Sequence, residues 1–241
     1  MDTVVGLTLI AMLGLAAGSL TTVSGMGGGL LVVFVLSLVM GPKAALVVSA
    51  SALLVGNLHR MYLYWRHVDR AVVRRLLLGL IPGTLVGAWL AAGLPDDAIR
   101  IVMVVAALAA LVRVLTGARW TLPPSSLTPA GAVVGFFAAT AGGAAVMLGP
   151  LMLSNGISGR RYLAVTAVGA TTMHTVRIAG YGATGLWHAH YLPLIAALAA
   201  AILAGNLLGR RLRDVVPEKA GNALEVLTPV VCAGLAVAGI G

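Results

Sequence analysis

From Val4 to Val23 the chain runs without a charged side chain, and comparable apolar stretches recur along its whole length. A helix needs ~20 such residues to cross a bilayer, and a chain in lipid must satisfy every backbone N–H and C=O internally. Runs of this kind restrict the chain to a bundle of membrane helices. Composition agrees: 60% of the 241 residues are hydrophobic and 10% charged, against roughly 25% charged in a soluble domain, and the mean hydropathy is +1.02. About eight to ten helical segments fit this length, with no room for a sizeable domain outside the membrane. Asp2 precedes the first run and no basic stretch does, so that run reads as a membrane helix and not as a cleaved signal.

Two short stretches interrupt the apolar pattern: Ser24-Gly25-Met26-Gly27-Gly28-Gly29, and a relaxed copy at Thr140-Ala141-Gly142-Gly143-Ala144-Ala145. A helix broken at membrane depth survives only where the break is buried in protein or lines a polar cavity, so the pair points at a solute site. Helices starting after Gly29 and Ala145 would aim free N–H groups and a positive dipole end at the break, which suits an anion. The competing reading is that the glycines let two helices cross closely. The runs that follow, Leu30 to Met40 and Val146 to Leu153, are too short for an ideal helix to span a ~30 Å core, and whether they are re-entrant is left open.

The formal charge of +9 comes from sixteen Lys and Arg against seven Asp and Glu. The cations lie in short connections between apolar runs, the distribution that marks cytoplasmic loops. No basic patch is interleaved with exposed aromatics as a single-strand nucleic-acid site requires, so nucleic acid is not expected as a partner; the lipid bilayer is. With Arg60 to Arg75, Arg113 to Arg119, Arg160-Arg161 and Arg210 to Arg213 inside, Asp96-Asp97, the His188-Ala189-His190 turn and both termini fall outside. The lone Cys232, in the last apolar run, reads as a small core residue.

The polar link Pro123-Pro124-Ser125-Ser126 divides the chain into residues 1–122 and 123–241, within one membrane domain. At a fixed shift of 117 positions, which is 177 minus 60, Gly14 pairs with Gly131, Gly18 with Gly135, Gly25 with Gly142, Ser49 with Thr166, Arg60 with Arg177 and Tyr64 with Tyr181. The halves read as a duplication of about five helical segments each. An odd number of segments makes the second copy enter from the opposite side, giving two inverted repeats whose glycine-broken helices meet near the membrane midplane. The fold class expected is therefore an all-α polytopic membrane protein.

The order of short motifs in both halves resembles the sulfite exporter TauE/SafE family of membrane permeases, over essentially the whole chain. The first half carries Gly25-Met26-Gly27-Gly28-Gly29, Gly41-Pro42-Lys43, Ala45-Leu46-Val47-Val48-Ser49 and Tyr64-Trp65-Arg66-His67-Val68-Asp69. The second carries Gly142-Gly143, Gly149-Pro150, Gly159-Arg160-Arg161 and Val165-Thr166-Ala167. The resemblance implies a permease of the cytoplasmic membrane that moves sulfite, a sulfonate or a related small organic anion.

The substrate-binding candidates fall in three groups. Ser24, Gly25, Gly27, Gly28 and Gly29 form the first break, and Thr140, Gly142 and Gly143 the second. Thr171, His174, Thr175 and Arg177 cluster in a segment otherwise apolar from Tyr162 to Tyr181. A buried arginine usually faces the bundle interior or a watery pathway, and its planar fork suits sulfite or sulfonate oxygens; the alternative is that Arg177 snorkels to the headgroups. Asn57, His59 and Arg60, with Ser49 above them, hold the matching place in the first half, where Arg60 also reads as a cytoplasmic flank.

His59 or His174 could carry a coupling proton, though a buried histidine is more often a hydrogen-bonded core residue. A sodium site on buried carboxylates is not expected, because of the seven acids only Glu225 falls within an apolar run. His188-Ala189-His190 lacks a third ligand nearby, so no metal and no cofactor are expected. The chain also lacks H-E-x-x-H, G-x-S-x-G and paired intramembrane aspartates, which leaves a non-enzymatic secondary transporter as the leading reading and an anion channel as the alternative. Direction, coupling ion and any homo-oligomer stay open.

Overall fold

The computed structural model describes residues 3–24, 27–116, 121–142 and 145–213, with isolated helical positions at 227, 230, 231 and 234. The expected segment from 223 to 240 lies almost wholly outside the described residues. Among the described residues the chain is helical, with nine α-helices and no strand: α1 Thr3–Ser24, α2 Gly28–Met40, α3 Pro42–Tyr64, α4 Arg70–Gly93, α5 Asp96–Thr116, α6 Leu127–Ala141, α7 Ala145–Ser154, α8 Gly159–Ala183 and α9 Leu192–Arg213. Three stretches, Pro42–His67, Arg70–Gly93 and Ala189–Leu212, are long and apolar enough to cross a membrane. Their outward faces carry large apolar side chains such as Leu78, Val86 and Trp89, a surface stable in lipid and not in water. The protein is an all-α integral membrane protein.

Glycine sets the two short helices. Gly27 takes φ 94° at the start of α2, and Gly41 takes φ 83° between α2 and α3, where Pro42 supplies a preset φ for the first turn of α3. The 13 residues of α2 and the 10 of α7 reach roughly 20 and 15 Å at 1.5 Å per residue, about half to two-thirds of a hydrocarbon core.

Glycine also sets the closest packing. A Cβ at Gly79 would stand 1.8 Å from the Thr128 carbonyl oxygen, one at Gly83 2.1 Å from that of Ala132, and one at Gly87 2.5 Å from that of Phe136. The glycine face of α4 therefore seats the backbone of α6, running parallel to it, and Gly131 and Gly135 do the same in return. On the other side of the molecule Gly14 and Gly18 of α1 meet Gly205 and Gly209 of α9 in the same parallel manner. Close backbone approach in lipid gains van der Waals contact where no hydrophobic force between helices exists. Between these pairs α3 and α8 cross at the centre, α3 against α9 and α8 against α4.

Two ion pairs identify the ends. Lys43 and Asp96, 4.0 Å apart, bring together the starts of α3 and α5; this is the acidic end. At the opposite, basic end Asp69 caps α4, accepting from the Ala71 and Val72 N–H groups at 2.9 and 3.1 Å, and pairs with Arg161 at the start of α8. The central helices α3 and α8 thus run antiparallel.

The Val72 N–H, assisted by Arg161 and the Ala71 N–H and opposed by partial desolvation, holds the Asp69 carboxyl below the usual carboxylate range. A carboxyl with a depressed folded value contributes stability above its unfolded pKa of ~3.9, and that contribution is lost as pH falls through the folded value. Asp69→Ala is expected to cost about 0.5–2 kcal/mol as a lost cap, and Asp69→Asn to keep most of the cap while flattening this part of the acid dependence. Melting in detergent from neutral pH to about pH 3 checks both; an acid limb identical in wild type and Asn variant would refute the assignment.

Candidate functional site

A cavity of about 840 Å³ enters the basic end between the C-terminal turns of α1, α3 and α9 and the first turns of α8. Its wall holds Arg60, Arg160 and Arg210 with His59, and the polar side chains of Thr21, Thr22, Tyr64, Tyr162 and Asn206; among the described residues no acidic one lines it. The helices explain the clustering. Arg60 and Tyr64 are one turn apart on α3, and Arg160 sits where α8 begins beside them. Thr22 Oγ lies 3.1 Å from the Asn206 side-chain oxygen, joining α1 to α9 at the rim. Three arginines around one concave wall raise the local concentration of anions.

A second groove, about 870 Å³, runs along α4 past Arg66, Arg70 and Arg74 to Leu78, Ile81 and Pro82. It holds none of the sequence-selected residues and opens on the apolar outer face.

Toward the acidic end Arg177 is fully buried, its exposure 0%. Its Nε donates to the Tyr181 hydroxyl at 3.2 Å and an Nη to the Leu46 carbonyl of α3 at 3.3 Å, while the other Nη stands 3.5 Å from His174 Nδ1. The guanidinium carbon lies 5.6 Å from the Tyr181 ring centroid. Tyr181 passes the connection on, its hydroxyl donating to the Ala139 carbonyl of α6 at 2.6 Å. A guanidinium only donates, so a bond at this distance requires His174 Nδ1 to offer its lone pair. The snorkelling alternative for Arg177 does not hold: the side chain turns inward and ties α8 to α3.

The remaining candidates divide by position. His59 and Arg60 line the basic cavity; His174 and Arg177 share the buried network. Ser49 is buried and donates to the Leu46 carbonyl at 3.2 Å, the oxygen that Arg177 also uses. Asn57 donates to the Leu53 carbonyl within α3. Thr140 is buried and bonds the Phe136 carbonyl. Thr171 is buried near the middle of α8, and its hydroxyl has no partner among the described residues. Thr175 is exposed on the face of α8 away from Arg177, bonding the Thr171 carbonyl.

Of the first break, Ser24 ends α1, Gly27 opens α2, and Gly28 is held against α1, where a Cβ would stand 2.1 Å from the Ala17 carbonyl oxygen. That contact alone requires glycine, so Gly28→Val tests helix packing before it tests solute access. Gly29 has only ordinary contact with Leu53. Of the second, Gly142 takes φ 72° at the end of α6 and abuts Val33 of α2, bringing the halves together there. Gly25 and Gly143 lie outside the described residues.

The sequence reading missed Arg160, Arg210, Asn206, Thr21 and Thr22 as residues that line one cavity with Arg60, and Tyr181 as the partner of Arg177. The tyrosines were legible as a repeat pair; nothing local distinguishes Arg210 from any other basic flank.

Broken helices in an apolar bundle, with a cation-lined cavity leading in from one end, are the build of a membrane transporter. The family model described as Sulfite exporter TauE/SafE matches residues 10–240, and the chain belongs to that family. No curated protein and no solved structure matches it.

Proposed function

We propose that the protein is a secondary transporter that moves a small sulfur oxyanion, sulfite or a sulfonate, or a related organic acid across the cytoplasmic membrane by alternating access. The observation that carries this reading is the basic-end cavity, walled by Arg60, Arg160 and Arg210, with no acid among the described residues that line it. Guanidinium forks bind such oxyanions through charge-assisted, bidentate bonds. We take the basic end as cytoplasmic on its cation excess and the chain as multi-pass.

Two inverted halves, 1–122 and 123–241, are supported by the glycine-mediated pairing of α1 with α9 and of α6 with α4, since Gly14 and Gly18 correspond to Gly131 and Gly135 at the shift of 117. The orphan hydroxyl of Thr171, buried near the middle of α8, is a polar group that a bound oxyanion would satisfy. We assign any coupling proton to His59, which lines the cavity, over His174, which is enclosed with Arg177. A channel is less well supported, because at the end opposite the cavity Arg177 and Tyr181 are fully buried and bond α8 to α3 and α6.

In proteoliposomes, labelled sulfite uptake is expected to saturate and to accelerate when unlabelled sulfite is loaded on the opposite side. Linear uptake without acceleration would identify a pore. Exchange of carboxylates with none of sulfite or sulfonates would move the substrate to another class.

A further inference from the structure

The buried network around Arg177 has a counterpart, group for group, at the other end of the molecule. The shift of 117 relates Arg177 to Arg60, Tyr181 to Tyr64, Ala139 to Thr22 and Leu163 to Leu46. At the acidic end Arg177 reaches from α8 to the Leu46 carbonyl of α3, and Tyr181 reaches from α8 to the Ala139 carbonyl of α6. At the basic end Arg60, Tyr64, Thr22 and Leu163 all line the one cavity. The same four positions are collapsed on one another at one end and arranged around open space at the other.

The acceptors are related in local chemistry as well. Ser49 donates to the Leu46 carbonyl at 3.2 Å, and its repeat partner Thr166 donates to the Tyr162 carbonyl at 2.7 Å with a longer contact to the Leu163 carbonyl at 3.2 Å. The Leu46 oxygen also receives Arg177 at 3.3 Å, so by the same repeat the Leu163 oxygen is the counterpart acceptor for an arginine arriving from α3.

We infer that Arg60 and Tyr64 are the inner half of a two-ended lock. They close on the Leu163 and Thr22 carbonyls when Arg177 and Tyr181 let go of Leu46 and Ala139, so that one end is shut whenever the other is open. This rests on the alternating-access reading above. Each bond broken at one end is replaced by one of the same kind at the other, which keeps the two states close in energy. A solute that binds one state better then shifts the balance with modest differential affinity. In the state described here Arg60 stands in the cavity wall, and on closure it fastens α3 to α8.

The test uses a buried reporter of the opposite state. Thr140, 1% exposed, corresponds to Val23, which lines the basic cavity. Thr140→Cys, in a chain whose only cysteine is removed by Cys232→Ala, becomes reactive when the acidic end opens. Its labelling rate by a water-soluble maleimide therefore follows the population of that state, even when it is minor. Tyr181→Phe removes a hydroxyl from the closed outer lock and should raise the rate about fivefold, the weight of one net hydrogen bond. Tyr64→Phe should lower it by a similar factor, and the double variant should return close to the parent. A tyrosine with only a packing role gives shifts in the same direction or none, and either result overturns the lock. Sulfite counterflow on the same proteins separates the two readings. Opposite labelling shifts without sulfite exchange would keep the lock and remove the substrate; exchange with parallel shifts would keep the substrate and remove the lock.

Discussion

Replacing Arg177 with methionine is expected to cut transport at least tenfold while leaving the fold as stable as before, or more so. The guanidinium is wholly buried and meets a phenol, a backbone carbonyl and an imidazole; no carboxylate pairs with it among the described residues. Burying a cation on neutral partners alone is costly, and an apolar side chain of similar volume in place of buried charge is often neutral or stabilising by about 1–4 kcal/mol.

Few groups would be orphaned. The Tyr181 hydroxyl keeps Ala139 and the Leu46 carbonyl keeps Ser49. What methionine cannot supply is charge-assisted bonding of about 1.5–3 kcal/mol, roughly ten- to more than a hundredfold in an equilibrium at 1.4 kcal/mol per decade. Arg177→Lys should restore little, since a point charge cannot serve three acceptors that fit a planar fork. Melting temperature and sulfite flux measured together decide the matter. A large fall in melting temperature, with flux lost in proportion, would make Arg177 a structural residue.

The opposite profile is expected at Arg60. It is only half-buried, in the wall of the cavity, so Arg60→Ala should move the melting temperature little. If its guanidinium meets the solute, affinity should weaken by roughly ten- to more than a hundredfold, by the same conversion. Arg60→Lys should recover a larger share than lysine does at position 177, because in a wet cavity the solute and water can rearrange around an ammonium. Dissociation constants for sulfite in detergent at fixed salt, for wild type and both variants, provide the check. Equal constants for wild type and alanine would take Arg60 out of the binding site and leave Arg160 and Arg210 as its cationic wall.

These two arginines behave differently although the sequence presents them as equivalents. Each sits near the end of a long helix with a tyrosine four residues on. At the sequence level Arg177 suggested a solute contact or a snorkelling flank, because an isolated cation in an apolar run declares only that something must compensate it. Which compensation is present depends on the Leu46 and Ala139 carbonyls, and these are far from Arg177 in the chain.

The apolar runs by themselves determined the membrane setting and the helical content, since a backbone in lipid has so few ways to satisfy its polar groups. The glycine spacing of Gly79, Gly83 and Gly87 likewise determined that α4 receives another backbone, because only glycines one turn apart make so smooth a face. The breaks at Gly27 and Gly142 were legible for the same kind of reason: their positive φ angles suit a residue without a side chain. Tertiary structure alone decided that α6 is the helix received, that Gly28 is pinned by Ala17, and that Arg160, Arg210 and Asn206 join Arg60 around one cavity. It alone decided which of two matching Arg–Tyr pairs is shut. The physical reason is that local sequence fixes what a backbone can do within a turn or two, whereas the partner of a side chain is set by which helices cross.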